Sequence, residues 1–120
     1  MQEKGKKILS WNDISEAVDK LCGWIKPEMH HLTSFHGLSR GGIIPAVMMS
    51  HKLNVPYVTE PIPGTMTIND ICNSGITLRD YPSTWKGVLY YKTKTSCFCP
   101  NVWGVEYNED ETLVFPWENI

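Results

Sequence analysis

The 120-residue sequence predicts one α/β domain over residues 1–120, a parallel sheet flanked by helices in a minimal form. Three observations predict it. Short apolar or β-branched runs alternate with helical patterns, the arrangement that produces a parallel sheet covered by helices. Composition is 42% hydrophobic and 20% charged, the balance of a folded globule. The length suits one core and not two.

The elements follow in order. Lys4, Lys6 and Lys7 form a basic start, read as a solvated tail. Ser10 or Asn12 caps a helix on which Ile14, Val18, Leu21 and Cys22 recur on one face, extended by Trp24 and Ile25 and stopped by Pro27. Leu32 to Leu38 reads as a strand. Ser39-Arg40-Gly41-Gly42 breaks it, and Ile43 to Leu53 reads as an apolar helix with Pro45 in its first turn. Val55 to Val58 is a second short strand, and Pro61, Pro63 and Gly64 mark a tight connection. Thr65 to Asn69 is a third strand, followed by a polar turn and a brief helix at Ile76 to Arg79. Val88 to Lys92 is a fourth strand, and Val102 to Tyr107 and Thr112 to Phe115 are two more. No repeat, low-complexity segment or domain linker interrupts the pattern.

Charge and hydropathy narrow the function classes. A net charge of −2 gives no electrostatic pull toward nucleic acid or anionic membranes. No apolar run reaches the ~20 residues of a membrane span, and no signal-like segment opens the chain. These features predict a cytoplasmic protein without nucleic-acid or membrane partners. The four cysteines fit a reducing compartment. A zinc site from Cys97 and Cys99 with two of His30, His31, His36 and His51 is a minor alternative, because a one-residue gap departs from the usual ligand spacing.

In parallel sheets ligands bind where strands run into helices, which points to Leu38–Gly42 and Asp70–Thr77. In the second stretch a strand delivers Asp70, and a polar turn then opens a helix. Free N–H groups at such a start suit phosphate. Ser74 and Thr77 add hydroxyls, and Gly75 allows close approach of backbone to an anion. Asp70 is placed for a divalent cation or sugar hydroxyls. The same residues also fit a capped helix start with a solvent-exposed Asp.

Asn69-Asp70 followed by Asn73-Ser74-Gly75-Ile76-Thr77 resembles the phosphoribosyl-pyrophosphate (PRPP) signature of the class I phosphoribosyltransferases. Leu38-Ser39-Arg40-Gly41-Gly42 resembles the family's pyrophosphate loop, with a strained backbone and an arginine toward the diphosphate. Ser-Trp-Asn-Asp at the start, Ser-Arg-Gly-Gly-Ile-Ile-Pro, Tyr90-Tyr91-Lys92 and Phe115-Pro116-Trp117-Glu118 follow the order of bacterial and archaeal xanthine-guanine enzymes over residues 8–118. The resemblance implies a purine phosphoribosyltransferase that moves ribose 5-phosphate from PRPP to guanine, xanthine or hypoxanthine, with Mg²⁺ as cofactor and self-association into a homo-oligomer. It implies PRPP contacts at Ser39, Arg40 and Gly41, and ribose and metal contacts at Asp70 beside Asn69. The segment Asn73, Ser74, Gly75, Ile76 and Thr77 would wrap the 5-phosphate. Lys92, with Lys94 as rival, would donate to the exocyclic oxygen of the base, and the main chain at Leu113 would read the base edge. Asn73 and Lys92 hold the catalytic positions.

Four departures accompany the resemblance. Asn69 replaces an acidic residue, and so brings no negative charge to a metal. Asn73 replaces an aspartate, and losing an acid–base group typically costs roughly 10² to 10⁴ in rate. Thr112 stands where a tryptophan stacks on the base, a contact worth on the order of 1–3 kcal/mol, unless Trp103 or Tyr107 substitutes. Thr59 to Gly64 is too short for the family's mobile lid. The alternative reading is therefore a regulatory module of the same fold that binds a nucleotide or PRPP without turnover.

Overall fold

In a computed structural model the chain is described over residues 5–25 and 31–118. Lys4, Pro27 and His30 of the sequence reading lie outside these residues. The elements are β1 (Lys6–Ile8), α1 (Trp11–Gly23), β2 (Ser34–Gly37), α2 (Ser39–Leu53), β3 (Thr65–Cys72), α3 (Ile76–Asp80), β4 (Trp85–Tyr91), β5 (Val102–Glu106) and β6 (Thr112–Val114).

Four strands form a parallel sheet in the order β2-β3-β4-β5, and β1 pairs with β6 in a separate parallel ribbon. Helices α1 and α2 touch each other and lie on one face, α1 against β4 and β5, α2 against β2 and β3. Ile14, Ala17, Val18 and Leu21 of α1 join Ala46, Met49, Met66, Ile68, Leu89 and Val102 in the main core. A smaller cluster on the other side gathers Leu38, Cys72, Leu78, Val88 and Tyr91, with Phe98 and Trp103 packed on it.

Helix α1 starts as its sequence directs. Ser10 Oγ accepts the Asp13 N–H, and Asp13 returns a carboxylate to the Ser10 N–H, a reciprocal cap. Four expectations need correction. The lysine-rich start is not a tail throughout, because Lys6–Ile8 pairs with Thr112–Val114. Ser39–Gly42 does not break the chain before a helix but forms the first turn of α2, which places Pro45 in the second turn. Val55–Val58 is not a full strand: it makes a single parallel bridge, Tyr57 to Phe35, flanked by Phe35 N–H to Pro56 O and Val58 N–H to Phe35 O. The third strand runs on to Cys72, so Asn69 and Asp70 lie within β3.

Candidate functional site

The first turn of α2 lies against β2 and β3 with little room between them. A Cβ on Gly37 would strike the backbone of Ile43, one on Gly42 would strike the Ile68 carbonyl, and one on Gly41 would overlap the Asp70 carboxylate. These three glycines let the first turn of α2 settle directly onto the end of β3. Leu38 fixes the junction by donating its N–H to Ile68 O at 2.8 Å. The next residue, Ser39, takes the left-handed conformation at φ 58°, a strained state for a residue with a side chain. The strained backbone expected in this loop is therefore at Ser39.

Two cavities open on this edge. The larger, about 700 Å³, is lined by Ser39, Arg40, Gly41, Asp70, Trp117 and Glu118, with Ile43 and Ile44 on its apolar side. Arg40 is exposed, and no hydrogen bond or ion pair holds its guanidinium among the described residues. Burial pushes the Asp70 carboxyl above its ordinary range, against the opposing pull of backbone N–H groups of Ile71 and Asp70 itself. Its Oδ1 accepts the Ile71 N–H at 2.8 Å. Asn69 Oδ1 accepts the Asp70 N–H at 2.9 Å, so this carboxamide is turned back on the backbone.

The smaller cavity, about 150 Å³, is lined by Asn69, Ile71, Cys72, Asn73, Ser74, Gly75, Thr77 and Leu78. Residues 73–75 form the loop from central β3 into α3, and Gly75 sits at φ 86° as the residue before the helix. The segment after β4 closes over this loop. Lys92 N–H donates to Cys72 O at 3.0 Å, Thr95 Oγ1 lies 2.9 Å from Asn73 O, and Cys97 N–H donates to Ser74 O at 2.7 Å. Thr95 Oγ1 also lies 2.8 Å from Asn73 Oδ1. Ser96 Oγ sits under Gly75, bonded to Phe98 O and 3.2 Å from Cys72 Sγ.

Lys92 is half-buried, with Nζ 5.9 Å from the Tyr107 ring centre, where Lys7 Nζ approaches at 5.7 Å. Lys94 is exposed and engages Asn108 through its backbone N–H. Between the two, Lys92 is the inward lysine. In β6, Thr112 N–H donates to Gly5 O and Val114 O accepts from Leu9 N–H. Alternate residues of a parallel strand face its partner, so Leu113 between them turns its main-chain N–H and C=O away from β1. Its side chain is buried in the core.

Ser39, Arg40, Gly41 and Asp70 thus share one cavity, and Asn69 and Asn73–Thr77 surround the next, except Ile76, whose side chain is exposed. Trp103 packs on Trp24 and Tyr91, and Tyr107 lies between two lysines. Trp117, stacked on Phe115 at 5.0 Å, is the aromatic residue that lines the larger cavity. In the sequence Trp117 and Glu118 stand out only as part of a motif, and Thr95 and Ser96 do not stand out as site residues. The Ser-Thr-rich turn at 93–96 is the one signal that marks them.

The zinc alternative loses His36, whose Nδ1 faces Val58 O at 3.0 Å and whose Nε2 faces Tyr81 OH at 2.9 Å. A carbonyl only accepts, so Nδ1 carries the proton and Nε2 accepts from Tyr81, leaving no lone pair for a metal. No group of three or more His, Cys, Asp or Glu is arranged for a metal among the described residues.

No protein-family model and no curated protein matches the sequence. Solved structures do match. A purine phosphoribosyltransferase from Pyrococcus horikoshii superposes with a TM-score of 0.75 at 22% identity, covering 96% of this chain and 95% of that one. The xanthine-guanine-hypoxanthine phosphoribosyltransferase of Helicobacter pylori gives 0.78 at 13% identity, over 98% and 95%. A Neisseria gonorrhoeae protein with bound ppGpp gives 0.74 at 18% identity, over 100% and 93%. Likeness over nearly whole chains at such low identity is likeness of backbone architecture, and by that measure this chain has the class I phosphoribosyltransferase fold.

Proposed function

We propose that the protein is a purine-type phosphoribosyltransferase that moves ribose 5-phosphate from PRPP to a 6-oxopurine. One observation carries this reading. Three consecutive residues at the end of β3 line both cavities, Asp70 the larger and its neighbours Asn69 and Ile71 the smaller. A ligand with phosphate groups at both ends and a sugar between them matches that layout.

In this reading Arg40 and the Ser39–Gly41 turn take the diphosphate, and Asp70 takes the ribose hydroxyls. The N–H groups and hydroxyls of Asn73 to Thr77 take the 5-phosphate. Lys92 donates to the exocyclic oxygen of the base, and the main chain of Leu113 faces the base edge. The donor set fits Mg²⁺, which is bound through one or two carboxylates with substrate phosphates completing the shell. Asp70 supplies that carboxylate next to the diphosphate turn, and a bound Mg²⁺ would neutralise charge on the departing diphosphate. Catalysis is then positional and electrostatic: the chain fixes base and sugar in line while Arg40 steadies the leaving group. Asn73 has no acidic proton to exchange with the purine, which predicts slow turnover.

The test is incubation with PRPP, Mg²⁺ and guanine, xanthine or hypoxanthine, following pyrophosphate release. Release that requires a base supports the reading, and its absence with every base overturns it.

A second reading, a regulatory module that binds a nucleotide without turnover, has its own support. The Asn69 carboxamide is engaged with the backbone, Asn73 is tied to Thr95, and 59–64 is a short link. The Neisseria protein has bound ppGpp on the same fold. Calorimetric binding of GMP or ppGpp without pyrophosphate release would favour it.

A further inference from the structure

We infer that Thr95 is a positioning residue for phosphate recognition, and that the segment 92–97 does for the 73–77 loop what its own short sequence cannot. The inference rests on the proposed reading of that loop as the 5-phosphate site.

The geometry is specific. The carbonyl oxygens of three consecutive residues, Cys72, Asn73 and Ser74, are each met by a group from one short segment: Lys92 N–H, the Thr95 hydroxyl and Cys97 N–H. A trans peptide is planar, with its C=O and the following N–H on opposite sides. Turning these carbonyls toward 92–97 turns the N–H groups of Asn73, Ser74 and Gly75 away from it. None of those three N–H groups has a hydrogen-bond partner among the described residues. The helix that follows has only five residues, Ile76–Asp80, so orientation of these N–H groups depends on the clamp rather than on a long helix axis.

Of the three groups that meet these carbonyls, Thr95 alone uses its side chain. Its hydroxyl lies within 2.9 Å of both Asn73 O and Asn73 Oδ1. Its single proton is shared between, or alternates between, the backbone and carboxamide oxygens of Asn73, and either bond ties Asn73 to the segment. The clamp also begins at Lys92, the residue assigned to the base. One turn therefore links the phosphate end of the site to the base end.

The test compares Thr95→Val and Thr95→Ser with the parent protein, using ribose 5-phosphate as the calorimetric probe. The parent binds it, Thr95→Val binds about three- to tenfold more weakly, as expected for one lost hydrogen bond, and Thr95→Ser recovers the affinity. In turnover, Thr95→Val raises KM for PRPP with kcat changed by less than about twofold. Equal affinity of Thr95→Val and the parent overturns the role of Thr95 and leaves the phosphate site standing. No binding of ribose 5-phosphate by the parent overturns both. If Thr95→Val does not fold, amide exchange on the parent decides. A Cys97 N–H that is protected and slows further with ribose 5-phosphate supports the clamp, and one that exchanges as freely as an exposed loop overturns it.

Discussion

Substituting Gly75 with alanine probes the contact between the loop that joins β3 to α3 and the segment that covers it. Gly75 has φ 86°, and holding a residue with a side chain in the left-handed region costs about 1–2 kcal/mol. The new Cβ would lie 2.5 Å from Ser96 Oγ, 3.1 Å from Phe98 Cβ and 3.2 Å from Phe98 N. Forcing a methyl into such packing adds about 1–3 kcal/mol. Gly75→Ala should therefore lose about 2–5 kcal/mol, a large part of the 5–15 kcal/mol typical of a domain. For a chain of this size the melting temperature should fall by about 8–20 °C. Urea denaturation of Gly75→Ala in the parent and in a Ser96→Gly background separates the two contributions. With Ser96 Oγ gone, the cost should shrink by the share of the clash that Ser96 makes, leaving the about 1–2 kcal/mol of the backbone and the looser contacts with Phe98. The same cost in both backgrounds, within about 0.5 kcal/mol, would refute close packing of Ser96 on the loop.

Four further outcomes are expected. Asp70→Asn should abolish pyrophosphate release yet raise stability at neutral pH. Burial lifts the folded-state carboxyl above its unfolded value, so stability falls as pH rises from the unfolded value, about 4, through the folded one; melting temperatures of parent and variant should converge toward pH 3. Asn73→Asp should raise turnover with a 6-oxopurine about tenfold, since it restores an acid–base group; pyrophosphate release that stays at zero would favour the binding module. Lys92→Met should raise KM for the base by about tenfold or more, the loss of a charge-assisted hydrogen bond, while Lys94→Met should leave it unchanged in the same assay. Ser10→Ala, which removes half of a reciprocal cap, should cost about 1 kcal/mol in urea denaturation.

The parts of this fold legible in the sequence are those with local causes. The cap at Ser10, the one-face spacing of Ile14, Val18 and Leu21, and the passage from β3 through Gly75 into α3 all depend on residues within a few positions of one another. The rest depends on distant partners. Lys6–Ile8 has three exposed residues and no alternation, and it is a strand because β6 lies beside it. Ser39–Gly42 has two glycines, which disfavour helix, yet it is helical because those glycines let the turn rest on Ile68 and Asp70. Val55 to Val58 reads as a strand in the sequence, but Pro56 lacks an N–H and the pairing stops at the one bridge from Tyr57 to Phe35. Arg40, Asp70 and the 73–77 segment stand out in the sequence by residue type and order, and the folded chain brings Arg40 and Asp70 to one cavity. The bond from Thr95 to Asn73 spans 22 positions and follows no periodicity, so only the folded chain reveals it.

The pairing of β1 with β6 also bears on the order in which the molecule assembles. Lys6 aligns with Thr112, about a hundred positions along the chain, whereas β3 and β4 are joined through the short α3. Closing a long loop carries more entropy than closing a short one, and contacts of high sequence separation form late. The central β3-β4 pair with the 73–75 loop should thus be among the early structure, and the β1-β6 ribbon that holds Leu113 the last to close and the first to open. Since Leu113 is the main-chain group assigned to the base, a bound purine would act as a latch on this ribbon. Amide exchange across Lys6–Leu9 and Thr112–Val114 would then slow on adding base, while exchange at the centre of β3 would hardly change.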